Sequence, residues 1–192
     1  DWVGLETALD RAKVINPAWA SQVDYATCYA GGGDIETAKA TVQEFVEQMV
    51  ASGNVAADEQ ERYMNHFYRT ALVDAKQFDA AIEFVRSTDG FESDKSALYD
   101  AACLYSLKGD KDAAFVHLQK AAGAGWDDAW HMGQDPDMAP LRDDPRYEAV
   151  VATVEANWES GAEQRKAEAL EAKIDKPAPA WTLKDAEGNM VS

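Results

Sequence analysis

The sequence predicts an all-α protein built from helical hairpins, with a short β-hairpin at its end. Three observations predict this class. Apolar residues recur every three or four positions along most of the chain. The pairs Gly33-Asp34 and Gly109-Asp110 separate neighbouring helical patterns, as a tight turn followed by a helix cap does. Only the segment 178–192 alternates apolar and polar residues around an Asp-Ala-Glu-Gly turn, a pattern that predicts two paired strands.

The composition narrows the classes of partner. A chain of 192 residues with 46% hydrophobic content can bury a sizeable core. Its formal net charge of −17 makes the surface repel phosphate backbones and anionic lipid headgroups, so nucleic acid is a disfavoured partner. Since no stretch approaches the roughly 20 apolar residues that cross a bilayer, we predict no membrane insertion. Because the chain begins with Asp1, we expect that an upstream leader has been removed, which favours a periplasmic or otherwise exported protein and leaves the cytoplasm open.

Helical hairpins recur along the chain at a nearly constant interval. The clearest copy pairs SALYDAACLYSLK with GDKDAAFVHLQKAAGAG, and looser copies precede it. Equivalent late positions are separated by 33, 43 and 33 residues, and they fall at Ala12, Phe45, Thr88 and Ala121. Two of these intervals are close to the tetratricopeptide period of about 34 residues. The 43-residue interval, from Phe45 to Thr88, contains an insertion around 49–58.

These features resemble the tetratricopeptide repeat family, most clearly over 93–125 and more weakly over 5–88. The resemblance implies a right-handed superhelix of helical hairpins over residues 1–174. The family's small residue in each first helix is kept at Ala26 and Ala102, but Arg69 replaces it in the middle copy. A generic helical bundle is the alternative to this assignment.

A proline-rich segment and a long helix follow the last repeat. We predict that Asp144 caps a helix beginning at Pro145. Its apolar stripe should cover the open end of the repeat stack, and it consists of Tyr147, Val150, Val151, Val154 and Trp158. The helix then becomes polar and extends to Ile174, where a linker containing Pro177 and Pro179 begins.

No group of residues predicts catalysis. The three histidines, His66, His117 and His131, lie in different predicted elements. Asp135 and Asp137 lack the other ligands and the glycine of a calcium loop, so the aspartates of this segment are predicted to be helix caps and solvated turns. We therefore predict no catalytic residue, no cofactor and no metal, and we predict that this chain is not an enzyme.

The two cysteines are predicted to be free thiols. Cys28 and Cys103 lie in the first helices of different repeats, two layers of helix packing apart at about 8–10 Å each. Their Cα atoms cannot then approach within the roughly 7 Å that a disulfide requires.

The resemblance implies a concave groove, formed by the first helices, that binds a protein or peptide partner. Position by position, the groove residues are Val23, Asp24, Thr27, Tyr63, His66, Phe67, Thr70, Ser96, Tyr99, Asp100 and Cys103. This set contains no Lys or Arg, so it should prefer an apolar or basic segment of the partner. Alternatively, these aromatic residues pack the superhelix or contact a neighbouring domain.

The tail, residues 175–192, resembles a linker followed by the first hairpin of thioredoxin-like redoxin domains of the TlpA, ResA and peroxiredoxin-related group. The resemblance rests on Pro179, Trp181, Leu183, Asp185, Gly188 and Val191. It implies an interaction or scaffolding module at the N-terminal end of a larger exported thiol-disulfide oxidoreductase, in contact with its thioredoxin-like domain. Two alternatives stay open: a substrate-recognition domain of a redoxin enzyme, or a homo-oligomerisation scaffold that uses the groove or Trp126 and Trp130.

Overall fold

A computed structural model describes residues 2–15, 21–174, 183–184 and 190–191. The all-helical prediction is confirmed. The α-helices are α1 (Trp2–Ile15), α2 (Gln22–Gly31), α3 (Ile35–Ala51), α4 (Gln60–Asp74), α5 (Phe78–Arg86), α6 (Lys95–Lys108), α7 (Lys111–Gly123), α8 (Ala129–Gln134), α9 (Pro145–Ser160) and α10 (Ala162–Ile174). Short 3₁₀ helices are Ala57–Glu59, Phe91–Ser93 and Pro136–Leu141.

The same turn joins α2 to α3, α4 to α5 and α6 to α7. In each turn a residue with positive φ directly precedes the N-cap of the second helix, and these residues are Gly33 at 91°, Lys76 at 58° and Gly109 at 89°. The amide of the following residue donates to a carbonyl five residues back at 2.8–2.9 Å, which closes the end of the first helix. Asp34 and Asp110 then cap the second helices through their carboxylates.

The three second helices each bury an alanine at their fourth residue. Ala38, Ala81 and Ala114 occupy this position in α3, α5 and α7, and each has 0% exposed surface. A methyl side chain lets two helix backbones approach closely, so these positions are where the hairpins pack most tightly. The alanines predicted to be equivalent therefore hold the same helix position and are equally buried.

The hairpins pack in chain order. Helix α2 contacts α1, α3 and α4, and α4 also contacts α3 and α5. Helix α6 lies between α5, α7 and the segment Pro136–Leu141, and α7 contacts α9. The buried apolar residues of these helices form one core that extends from α2 to α9. The insertion predicted around 49–58 forms the end of α3, a turn at Gly53 and the 3₁₀ helix Ala57–Glu59.

Aspartates cap successive short elements after α7, as predicted. Asp128, Asp135 and Asp144 each accept a backbone amide hydrogen bond at the start of α8, of the 3₁₀ helix Pro136–Leu141 and of α9. These bonds satisfy amides that a helix leaves unpaired at its N-terminus. The caps explain how a segment with several prolines keeps a defined path.

Two details of the predicted capping helix are wrong. The long helix is divided in two at Gly161, where the Gly161 amide and the Ser160 hydroxyl both donate to the Asn157 carbonyl and end α9. Tyr147, Val150 and Val154 are buried, but the side chain of Trp158 is 53% exposed because it lies outside the stripe that faces α7. Periodicity alone placed this tryptophan in the stripe.

The tail contributes two short strands, and Leu183–Lys184 pairs antiparallel with Met190–Val191. The predicted linker and the turn between the strands lie outside the described residues. Both cysteines are buried free thiols, as predicted. Among the described residues, no helix combines the length and the hydropathy that crossing a membrane requires.

Candidate functional site

The predicted groove residues of α2 form hydrogen bonds within α2 and with its N-cap. The Asp24 carboxylate accepts a hydrogen bond from the Ser21 amide at 2.7 Å, and the Asp24 amide donates to the Ser21 hydroxyl at 3.2 Å, which makes a capping box. The Thr27 hydroxyl donates to the Val23 carbonyl at 2.9 Å. These three predicted residues therefore shape the beginning of α2 and do not line the pocket described below.

The predicted residues of α4 divide between packing and exposure. The Phe67 ring lies 5.5 Å from Phe45 of α3 and 5.9 Å from Tyr63, centroid to centroid. The Thr70 hydroxyl is bonded to the carbonyl of His66. The side chain of His66, in contrast, is exposed. Tyr63, Phe67 and Thr70 thus support α4, and His66 is the one of these four predicted residues with an exposed side chain.

A pocket of about 380 Å³ lies between α4 and α6, with α5 contributing to its lining. We call it the α4–α6 groove. Its lining residues are Arg62, Asn65, His66, Arg69, Phe84, Val85, Thr88, Asp94, Ser96, Ala97 and Asp100. Of the predicted residues, the structure brings His66, Ser96 and Asp100 together in this groove.

Two arginines line the groove that the sequence assignment had left without basic residues. Arg62 pairs with Glu59 and lies 5.1 Å from the ring centroid of Tyr63. Arg69 Nε lies 3.6 Å from Asp100 Oδ2. The helical spacing of Arg62, His66 and Arg69 puts all three on one face of α4, and that periodicity could have revealed them.

The Asp100 carboxyl is the most perturbed acid in the groove. Burial raises its pKa, Arg69 opposes that shift, and Asp94 and Asp135 add to it. The folded chain therefore holds this proton more tightly than the unfolded chain does. The Asp100 charge disfavours folding at neutral pH, and this effect is relieved as the pH falls through the raised pKa. A cationic group of a ligand in the groove would favour the ionised form of Asp100, because it attracts the carboxylate.

Tyr99 and Cys103 are not accessible to a partner, because the segment after α7 covers them. The Tyr99 ring stacks on Trp126 with centroids 4.3 Å apart and planes 8° apart. Its hydroxyl donates to Asp135 Oδ2 at 2.9 Å, and the Cys103 thiol lies 3.6 Å from the same oxygen. The prediction that these two residues are open groove positions is therefore wrong. Trp126 and Asp135 lie 27 and 36 residues after Tyr99, beyond the reach of a local pattern.

Cys103, Asp135 and Asp137 offer ligand atoms within 4.8 Å of one another. These groups already have protein partners. Burial raises the pKa of the Cys103 thiol, and neighbouring aspartates add to this shift. Asp135 already accepts bonds from Tyr99, Cys103 and the Asp137 amide. This cluster joins α6 to the covering segment.

Comparisons with known protein families, with curated proteins and with solved structures found no match to this chain.

Proposed function

We propose that this chain is a protein-interaction module of the tetratricopeptide type, which binds an extended segment of a partner in the α4–α6 groove. The observation that carries the proposal is the position of this groove. The groove lies between α4 and α6, the first helices of consecutive hairpins, where the resemblance implies a binding surface. His66, Ser96 and Asp100 line it.

The repeated construction of the hairpins supports the tetratricopeptide part of the proposal. Each of the three hairpins has the same turn and a buried alanine at the fourth residue of its second helix. Units that are joined in the same way and packed in chain order tend to stack with a constant rotation, which produces a superhelix. We propose that the superhelix is right-handed and that α9 covers its end.

An apolar or basic segment is the occupant that fits this groove best. Phe84 and Val85 give the groove an apolar part, and Asp94, which pairs with neither arginine, contributes negative charge. The two arginines do not reverse this preference, because Arg62 is paired with Glu59 and Arg69 with Asp100. The net charge of −17 also attracts a basic segment from a distance.

A displayed library of random peptides, selected on the purified chain, tests this function. We expect selected peptides to be apolar or basic. In fluorescence-anisotropy titrations, His66→Ala and Ser96→Trp should weaken their binding at least about tenfold, because one change removes an exposed contact and the other fills the groove. Gln119→Ala, at an exposed position of α7, is the control and should change nothing. Peptides that bind both groove variants as tightly as the unmodified chain would refute the groove as the site.

We also propose that the module belongs to a larger exported thiol-disulfide oxidoreductase and contacts its thioredoxin-like domain. The antiparallel pairing of Leu183–Lys184 with Met190–Val191 favours this second part, since it agrees with the hairpin that the tail's resemblance implies. Codons downstream in the gene should encode a Cys-x-x-Cys or a lone peroxidatic cysteine. A reading frame that lacks both would remove the redoxin part and leave the binding module unaffected.

A further inference from the structure

A second pocket, of about 430 Å³, lies between α8 and α9. Two tryptophans and four carboxylates line it: Asp127, Asp128, Trp130, Glu155, Trp158 and Glu159. We call it the Trp130–Trp158 pocket. None of these residues lines the α4–α6 groove, and the proposed function assigns them no role.

The two indole rings face water. Trp130 is 77% exposed and Trp158 is 53% exposed. Leaving a side chain of this size in water forgoes the stabilisation that its burial would give, and two of them in one concave site form an apolar surface that is available to a ligand.

Two of the four carboxylates, those of Glu155 and Glu159, have no partner among the described residues. Neither Glu155 nor Glu159 forms an ion pair or a side-chain hydrogen bond with another residue in the described part of the chain. Their spacing from Trp158 puts all three side chains on one face of α9. Asp128 adds a third negative charge at the start of α8. The pocket therefore offers π-faces together with uncompensated negative charge.

The chain's own Arg165 shows which group suits these surroundings. Its guanidinium lies over the Trp158 ring at 3.6 Å from the centroid, and its Nη1 is 3.3 Å from Asp127 Oδ2. The same guanidinium donates to the Trp158 carbonyl. A tryptophan face next to a carboxylate is a favourable site for a guanidinium, and Trp130 beside Asp128 repeats that combination without an arginine of its own in the described residues.

The walls of the pocket are held in place before any ligand arrives. The Tyr147 hydroxyl of α9 donates to the carbonyl of Met132 in α8 at 2.8 Å. The Asn157 amide donates to the carbonyls of Ala122 and Trp126 at 2.7 and 2.8 Å, which fixes α9 against the end of α7. A rigid site loses less conformational entropy on binding, so weak contacts can add up to specific recognition.

We propose that the Trp130–Trp158 pocket binds an arginine-bearing basic segment of a partner protein. An arginine side chain of that segment stacks on Trp130 and pairs with Asp128, and adjoining basic residues pair with Glu155 and Glu159. Charge complementarity selects this occupant: Lys95 and Arg165 pair with Asp127, but Asp128, Glu155 and Glu159 form no ion pair in the described residues, within a chain of net charge −17.

A fluorescein-labelled decapeptide of alternating arginine and glycine, titrated by anisotropy at about 0.15 M salt, tests the proposal. Trp130→Ala should weaken binding about threefold, because it removes one cation–π contact at an exposed site. Glu155→Gln with Glu159→Gln should weaken binding more than Glu44→Gln with Glu47→Gln, which removes equal charge from exposed positions of α3. Circular dichroism checks that each variant is folded.

Three results would overturn the proposal. The first is an equal loss of decapeptide affinity for the two pairs of glutamate substitutions, together with no effect of Trp130→Ala. This result would indicate only a general attraction to an acidic chain. The second is displacement of the peptide by free arginine at equal concentration, which indicates a site for a small cation. The third is a dimer in sedimentation velocity that Trp130→Ala dissociates, which assigns the pocket to a second copy. Trp130→Ala should weaken decapeptide binding by the same factor in a His66→Ala chain as in the unmodified chain, so failure of the α4–α6 groove can be told apart from failure of this pocket.

Discussion

Replacing Leu104 by alanine is expected to lower the free energy of unfolding by about 2–5 kcal/mol. Leu104 has 0% exposed surface and lies in α6, which is enclosed by α5, α7 and the segment Pro136–Leu141. Neighbours on several sides limit how far the site can collapse, so the lost contacts leave a cavity and the effect should fall in the upper half of that range. Urea denaturation followed by circular dichroism measures the change.

The control for this prediction is the same substitution at Leu170 of α10, whose side chain is 59% exposed. Leu170→Ala removes the same atoms from a surface position, so it should change stability by no more than about 0.5 kcal/mol. Similar effects of the two substitutions would mean that α6 is not the centre of the core.

Replacing Ala38 by leucine is expected to destabilise the chain by about 1–3 kcal/mol. Ala38 has 0% exposed surface and lies at the fourth residue of α3, a helix that contacts both α2 and α4. The added carbon atoms have no space there, so the helices must separate or the side chain must adopt a strained rotamer. The shift of the urea midpoint, at an unchanged slope, measures the loss of stability.

Ala40→Leu provides the matched control on the same helix, because Ala40 is exposed. Alanine and leucine have similar helix propensities, so this change should be nearly neutral. If Ala38→Leu were as harmless as Ala40→Leu, close packing at the equivalent alanines would be refuted.

The hairpins at both ends of the repeat region could be predicted because their turns use residues with local signals. Gly33 and Gly109 adopt positive φ, and the aspartate after each one caps a helix. The middle turn gave a weaker signal for a physical reason. Lys76 adopts the positive φ there, and Gln77 makes no side-chain cap, so neither residue type indicates the turn.

The candidate site could be predicted only in part. His66, Ser96 and Asp100 were assigned to the groove from their positions in the first helices, and the structure brings them together. Tyr99 is covered by Trp126, which stacks on its ring, and by Asp135, which accepts a hydrogen bond from its hydroxyl. Both contacts join parts of the chain that are distant in sequence. Such contacts depend on tertiary packing, which helical periodicity does not specify.

Native-state amide hydrogen exchange measured by NMR tests the central claim, that three hairpins are closed by one repeated turn. The amides of Asp34, Gln77 and Asp110 donate to the carbonyls of Tyr29, Leu72 and Tyr105 at 2.8–2.9 Å. We expect all three to be protected at least about a hundredfold, an opening free energy of about 2.8 kcal/mol, whereas an amide at the exposed second position of a helix should exchange much faster. Exchange of any of the three at the rate of an unprotected amide would contradict the repeated turn and the stacking that depends on it.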